Sequence, residues 1–151
     1  MSNLFVKFKP LYYNEKILKG EFMAKVGLVV DDSGAFTLKD IEKVKASKFI
    51  HTPYIINDEI YEEGENMLRE DFFAYLRDRN TQVSTSQPNI EVVKEAWRET
   101  LKEFDELVYV CLSSGLSEGC NTAINASHLE EFEGKVFVAN TQRISFMNKY
   151  S

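Results

Sequence analysis

Short apolar runs rich in β-branched residues alternate along this chain with longer stretches whose apolar residues recur every three or four positions. That alternation constrains the fold more than any other feature. Lys25-Val-Gly-Leu-Val-Val30 reads as a buried strand, followed by turn chemistry at Asp31-Asp-Ser-Gly34. Leu38, Ile41 and Val44 then mark a helix opening near Thr37. Phe49 to Ile56 reads as a second strand, with Pro53 placing it at an edge or bulge, and Asn57-Asp58 as a hairpin turn before Ile60-Tyr61. Phe72, Phe73 and Leu76 mark the inner face of a helix from about Leu68 to Arg79, and residues 80–88 read as a polar loop. Asn89 is a good N-cap for a stripe of Ile90, Val93, Ala96, Trp97, Leu101 and Phe104. Trp97 on that stripe reads as core rather than ligand contact. Leu107 to Leu112 and Lys135 to Ala139 are the third and fourth strands. Between them a loop, Ser113 to Ser117, opens a helix with Leu116, Cys120, Ala123, Ile124 and Ser127 inside.

Strands alternating with helices imply an α/β fold in three layers, a mostly parallel sheet with helices on both faces. Ligands of such sheets bind beyond the carboxyl ends of the strands. The loops Asp31 to Gly34, Ser113 to Ser117 and Asn140 to Arg143 fall there. The 151 residues suit one domain, and a net charge of −6 argues against nucleic acid or an anionic membrane as the main partner. Cys111 and Cys120 form neither a CxxC pair nor, with a histidine, a zinc spacing. They read as small buried hydrophobes, which suits a reduced, cytoplasmic setting.

Residues 1–22 differ in character, with four lysines against two glutamates. Lys19-Gly-Glu-Phe-Met23 can be encoded as a bacterial ribosome-binding site ahead of a start codon. Translation beginning at Met23 is therefore expected, with residues 1–22 an extension outside the domain and residues 23–151 the domain itself.

Two hydroxyl-rich clusters carry the candidate chemistry. Ser84-Thr85-Ser86-Gln87 precedes one helix, and Ser113-Ser114-Gly115-Leu116-Ser117 joins a strand to another. Hydroxyls and unpaired N–H groups at a helix start suit a small anion. Gly115 lets the backbone bend closely. The same residues also serve as helix caps, and periodicity does not choose between the two roles.

These residues resemble the DegV family over about residues 24–150. The resemblance lies in Val29-Val-Asp-Asp-Ser-Gly34, in Thr85-Ser-Gln-Pro88 and in Ser113-Ser-Gly-Leu-Ser117. The segment Phe49 to Gly64, and Gly134-Lys-Val-Phe-Val138 with the Asn140-Thr turn, are similar too. The order and spacing of these motifs carry more weight than any one of them. The resemblance implies a bacterial, non-enzymatic carrier of one long-chain fatty acid, without metal or cofactor. Its tail would lie in an apolar tunnel, and some members present the acid to a fatty-acid kinase. Thr85 and Ser117 match the positions that hold the carboxylate, while Ser86, Ser114 and Gly115 would shape the pocket.

The chain departs from the family at Glu118 and Gly119, at Phe36 and at Asn140. A Glu118 carboxylate facing the pocket would repel an acyl carboxylate. The resemblance implies a second domain, in the same or a separate chain, that supplies the other tunnel wall and basic head-group partners, and this chain ends at Ser151 without it. An exposed apolar groove is expected where that domain would dock. Two alternatives compete: a truncated fragment that does not bind lipid alone, and a serine hydrolase using Ser113 or Ser114 with His51 or His128 as base. The hydrolase lacks the flanking glycines of a nucleophile elbow.

Overall fold

The computed structural model describes residues 23–34, 42–62 and 66–144. The apolar runs form a four-stranded parallel sheet in the order β2-β1-β6-β7, built from β1 (Val26–Asp31), β2 (Lys48–Ile50), β6 (Glu106–Val110) and β7 (Val136–Ala139). A second, antiparallel sheet has the order β4-β3-β5, from β3 (Tyr54–Ile56), β4 (Glu59–Tyr61) and β5 (Val83–Thr85). The longer helices are α1 (Arg69–Arg77), α2 (Ile90–Leu101) and α3 (Gly119–Ser127), beside a 3-10 turn at Asp32–Gly34.

The α/β class and the parallel sheet follow from the alternation in the sequence. Leu107, Tyr109 and Cys111 point to one face of the sheet, beside Val29, Ile50 and Val136. α2 and α3 pack on that face and on each other. Val93, Cys120, Ala123 and Phe132 fill the layer between. Trp97 is wholly buried at its centre, edge-on to Tyr109 at 5.7 Å and to Phe132 at 5.2 Å between ring centroids. Asn89 caps α2 as expected, its side chain accepting from the Glu91 N–H. Both helices described against the sheet lie on one face. Of the helix expected at Leu38, Ile41 and Val44, Leu38 and Ile41 lie outside the described residues, while residues 42–44 are helical.

The segment Phe49 to Ile56 departs from the expected single strand. It divides at His51-Thr52-Pro53 into β2 of the parallel sheet and β3 of the antiparallel one. Pro53 has no N–H to continue a ladder, and Asp32 grips the break. Its carboxylate accepts from the Thr52 N–H at 2.7 Å and from the Thr52 hydroxyl at 2.5 Å. The hairpin at Asn57-Asp58 is as expected, with φ of 48° and 68° at a two-residue turn. The expected polar loop at 80–88 contains β5, which pairs with β3 and so brings Thr85 opposite Tyr54.

Two apolar assignments also change. Phe72 stacks on Tyr54 at 4.3 Å, but Phe73 and Leu76, expected inside α1, are exposed. Leu116, expected on the inner face of a helix, precedes α3 and is 64% exposed.

One glycine is required by packing. A Cβ at Gly27 would stand 2.5 Å from Thr100 Cγ2 and 3.0 Å from the Phe104 ring. Gly27→Ala is therefore expected to destabilise the fold by about 1–3 kcal/mol through overpacking between β1 and the end of α2. A lowered urea midpoint checks this; an unchanged midpoint would mean that this junction relaxes freely.

Candidate functional site

The carboxyl ends of β1 and β6 meet the end of β5 around one cavity of about 190 Å³. Its mouth is polar, with Thr52, Thr85, Ser86, Gln87, Ser117 and Thr122. Its deeper wall is apolar, with Ile90 and Val93 of α2, Tyr109 of β6, and Cys111, Leu112 and Cys120. A pocket with polar and apolar surface in about equal share suits a small amphipathic ligand.

Each hydroxyl reaches the mouth for a local reason. β5 carries Thr85 to its last position, and the Ser86 N–H donates to the Pro53 carbonyl at 3.2 Å, extending the β3 pairing by one bond. The Ser86 hydroxyl donates to the Gln87 carbonyl at 3.0 Å. Ser117 lies two residues before α3, and its Oγ accepts the Gly119 N–H at 3.1 Å. This satisfies one of the unpaired donors at the helix start. It also leaves the Ser117 hydroxyl proton to point elsewhere. A Cβ at Gly119 would stand 3.3 Å from both Ser117 Oγ and Gln87 Cβ, so the two motif loops are packed together at this glycine.

Of the expected site residues, Thr85, Ser86 and Ser117 line this cavity. Ser114 and Gly115 do not. Ser114 is clasped by Asn140, whose Nδ2 donates to Ser114 Oγ at 2.7 Å while Asn140 Oδ1 accepts the Ser114 N–H at 3.3 Å. Gly115 lines a second cavity of about 370 Å³ with Ser113, Leu116, Gln142, Arg143 and Ile144. Leu116 belongs to both cavities. Glu118 lies outside the lining of either, with its carboxylate accepting from Asn121 Nδ2 at 3.0 Å.

The carboxylate in the cavity is Asp31, at the end of β1. It is 3% exposed. Its Oδ1 accepts from the Ser33 N–H at 3.1 Å and from the Ser33 hydroxyl. Its Oδ2 accepts from the Leu112 N–H at 3.0 Å, with the Tyr109 hydroxyl at 3.5 Å. Asp31 thus ties the end of β1 to the start of the Ser113 loop. Burial, partly offset by these bonds, pushes its carboxyl up from 3.8 to about 6. Burial and the neighbouring Asp31 likewise push the Tyr109 hydroxyl well up, and burial pushes the Cys111 thiol up. A thiol held protonated in this way is a poor nucleophile.

The geometry gives little to a hydrolase. The Ser113 Oγ is buried and accepts the Gly115 N–H at 3.2 Å. His51 packs edge-on against Phe49 at 4.9 Å, with its Nδ1 buried and unpaired. His128 is exposed at the end of α3. Among the described residues, no group of histidine, cysteine and carboxylate side chains could hold a metal ion, and no helix is long and apolar enough to cross a membrane.

The protein is an α/β domain with a polar-mouthed cavity beyond the carboxyl ends of its parallel sheet, the place where sheets of this kind bind ligands. The chain belongs to the DegV family. The family model, described as an uncharacterised protein of the DegV family, matches residues 25–150. A DegV domain-containing 15.5 kDa protein of Staphylococcus aureus is 27% identical over 119 residues, covering 79% of this chain and 83% of that one. A solved DegV family protein of Thermus thermophilus, described by its fatty-acid binding, is similar with a TM-score of 0.70 at 25% identity. The match covers 81% of this chain and 42% of that one. DegV of Bacillus subtilis, described as a fatty acid binding protein, shares the fold with a TM-score of 0.72 at 19% identity, over 85% of this chain and 45% of its own. The chain thus spans most of the short staphylococcal relative and less than half of these two solved proteins.

Proposed function

We propose that this domain binds a long-chain fatty acid, with the carboxylate held at the cavity mouth by the hydroxyls of Thr85 and Ser117 and the first part of the tail against the apolar wall. One observation carries the reading. The two hydroxyls belong to motifs about thirty residues apart in sequence, yet they line the same cavity. Ser86 shapes the same mouth. Ser114 and Gly115 act one step away, holding the loop that presents Ser117. The similarity to the Thermus protein points the same way.

The volume sets the rest of the reading. About 190 Å³ is below the roughly 300–1,000 Å³ of a drug-sized pocket, so it takes the head group and the first carbons only. The remaining tail passes Leu116 towards the second cavity, where Ile144 is also exposed. Each methylene removed from water contributes about 0.8 kcal/mol. Affinity therefore depends on how much of the tail beyond the mouth finds cover. In this reading the domain is a carrier in a bacterial cytoplasm rather than an enzyme, and a fatty-acid kinase is the partner that would phosphorylate the presented carboxylate. Residues 1–22 lie outside the carrier domain.

Native mass spectrometry after incubation with excess oleate tests the proposal. One acyl mass per chain is expected. The bare chain mass alone would mean that this polypeptide does not retain lipid by itself.

A further inference from the structure

Among the described residues, the cavity lining contains the Asp31 carboxyl and no lysine, arginine or histidine. An ionised acid entering it meets another carboxylate and no opposing cation in that lining. We propose that the acid is bound with one proton shared between its head group and Asp31, so that loading an ionised acid takes up a proton from solvent. This inference rests on the fatty-acid reading of the cavity and adds a residue and a protonation state to it.

The groups around Asp31 favour such a proton. Asp32, next in the chain, is a second carboxylate and adds negative potential, which also raises the Asp31 carboxyl. Tyr109 and Cys111, on β6 and just beyond it, have their protons held on by burial. Cys120 of α3 lines the cavity, and α2 contributes only uncharged Ile90 and Val93. Thr52 and Thr85 complete the uncharged mouth. Burial, helped by Asp32 and partly offset by the bonds from Ser33 and Leu112, already brings the Asp31 carboxyl to about 6. A second anion nearby pushes it further in the same direction, as two carboxylates sharing one site do.

The structure can accommodate the added proton. Two of the Asp31 partners, the Ser33 and Leu112 amides, can only donate. The other two, the Ser33 and Tyr109 hydroxyls, can turn and accept instead. The step forms one O–H bond on the carboxyl pair at the expense of a solvent proton, and no other bond changes.

Titration calorimetry with decanoate, in buffers of different ionisation enthalpy near pH 7.5, reads the proton directly. The wild-type chain is expected to take up about one proton per decanoate, and its Kd to weaken about tenfold per pH unit from about pH 7 to about pH 9. In Asp31→Asn the uptake is expected to fall close to zero and the pH profile to flatten. Wild-type binding without proton uptake, and independent of pH, would overturn this inference and leave the fatty-acid reading standing. So would full uptake retained in Asp31→Asn. Should that variant not fold, the wild-type uptake and pH profile decide. No decanoate binding between about pH 6 and about pH 9 would overturn both.

Discussion

Replacing Trp97 by alanine is expected to remove about 3–5 kcal/mol of folding stability and to lower the melting temperature by about 10–20 °C. The reason is position as much as size. Trp97 is fully buried where α2, β6 and the residues after α3 converge, in edge contact with Tyr109 and Phe132. Truncation leaves a cavity between Tyr109, fixed in β6, and the buried Phe132, so little collapse can fill it. The indole N–H has no hydrogen-bond partner in the structure, so its removal costs no polar contact and the loss is one of packing. A domain of this kind has only about 5–15 kcal/mol in total. Trp97→Phe keeps most of the volume and should recover much of the loss. Thermal unfolding followed by circular dichroism measures both variants. A fall of only a degree or two for Trp97→Ala would contradict the packing described for α2.

Removing the two head-group hydroxyls together is expected to weaken binding of a free fatty acid by a hundredfold or more. A hydrogen bond to a charged group contributes about 1.5–3 kcal/mol, or roughly one to two decades of affinity each. Thr85→Val keeps the shape of the side chain and tests the hydroxyl alone. Ser117→Ala also removes the cap on the Gly119 N–H, so a stability loss of about 1 kcal/mol is expected beside the binding loss. The methyl ester of the same acid separates the two effects. The wild type should prefer the acid strongly, and the double variant should bind acid and ester about equally. Equal preference already in the wild type would remove Thr85 and Ser117 from the head-group role.

The parallel sheet and the cap of α2 were legible because each rests on a strong local signal. Leu107 to Leu112 is a continuous apolar run, and Asn89 precedes a long apolar stripe. β5 was not legible. Three residues, two of them Ser84 and Thr85, give no period to read, and their strand exists through pairing with β3. The division of Phe49 to Ile56 was hidden for a similar reason. Pro53 marked a break, but the Asp32 carboxylate that fixes Thr52 comes from twenty residues away.

The site divides along the same line. Thr85 and Ser117 were visible as motif hydroxyls. Asp31 looked like ordinary turn chemistry, because its partners Tyr109 and Leu112 lie on a distant strand and loop. By its place after the second motif, Glu118 is the carboxylate expected near the pocket. Its neighbour one turn along the helix, Asn121, takes that side chain instead. Phe73 and Leu76 looked internal by spacing alone, yet α1 buries only the Phe72 side of that stripe.

The position of the ligand is read most directly by amide chemical shifts in a protein labelled with nitrogen-15 and titrated with decanoate. Perturbations should be largest at Thr85, Ser86, Ser117 and Gly119, spreading to Leu112 and Leu116. Shifts centred instead on the exposed face of α1 around Phe73 and Leu76, with the cavity residues unmoved, would contradict a head group held at this sheet edge.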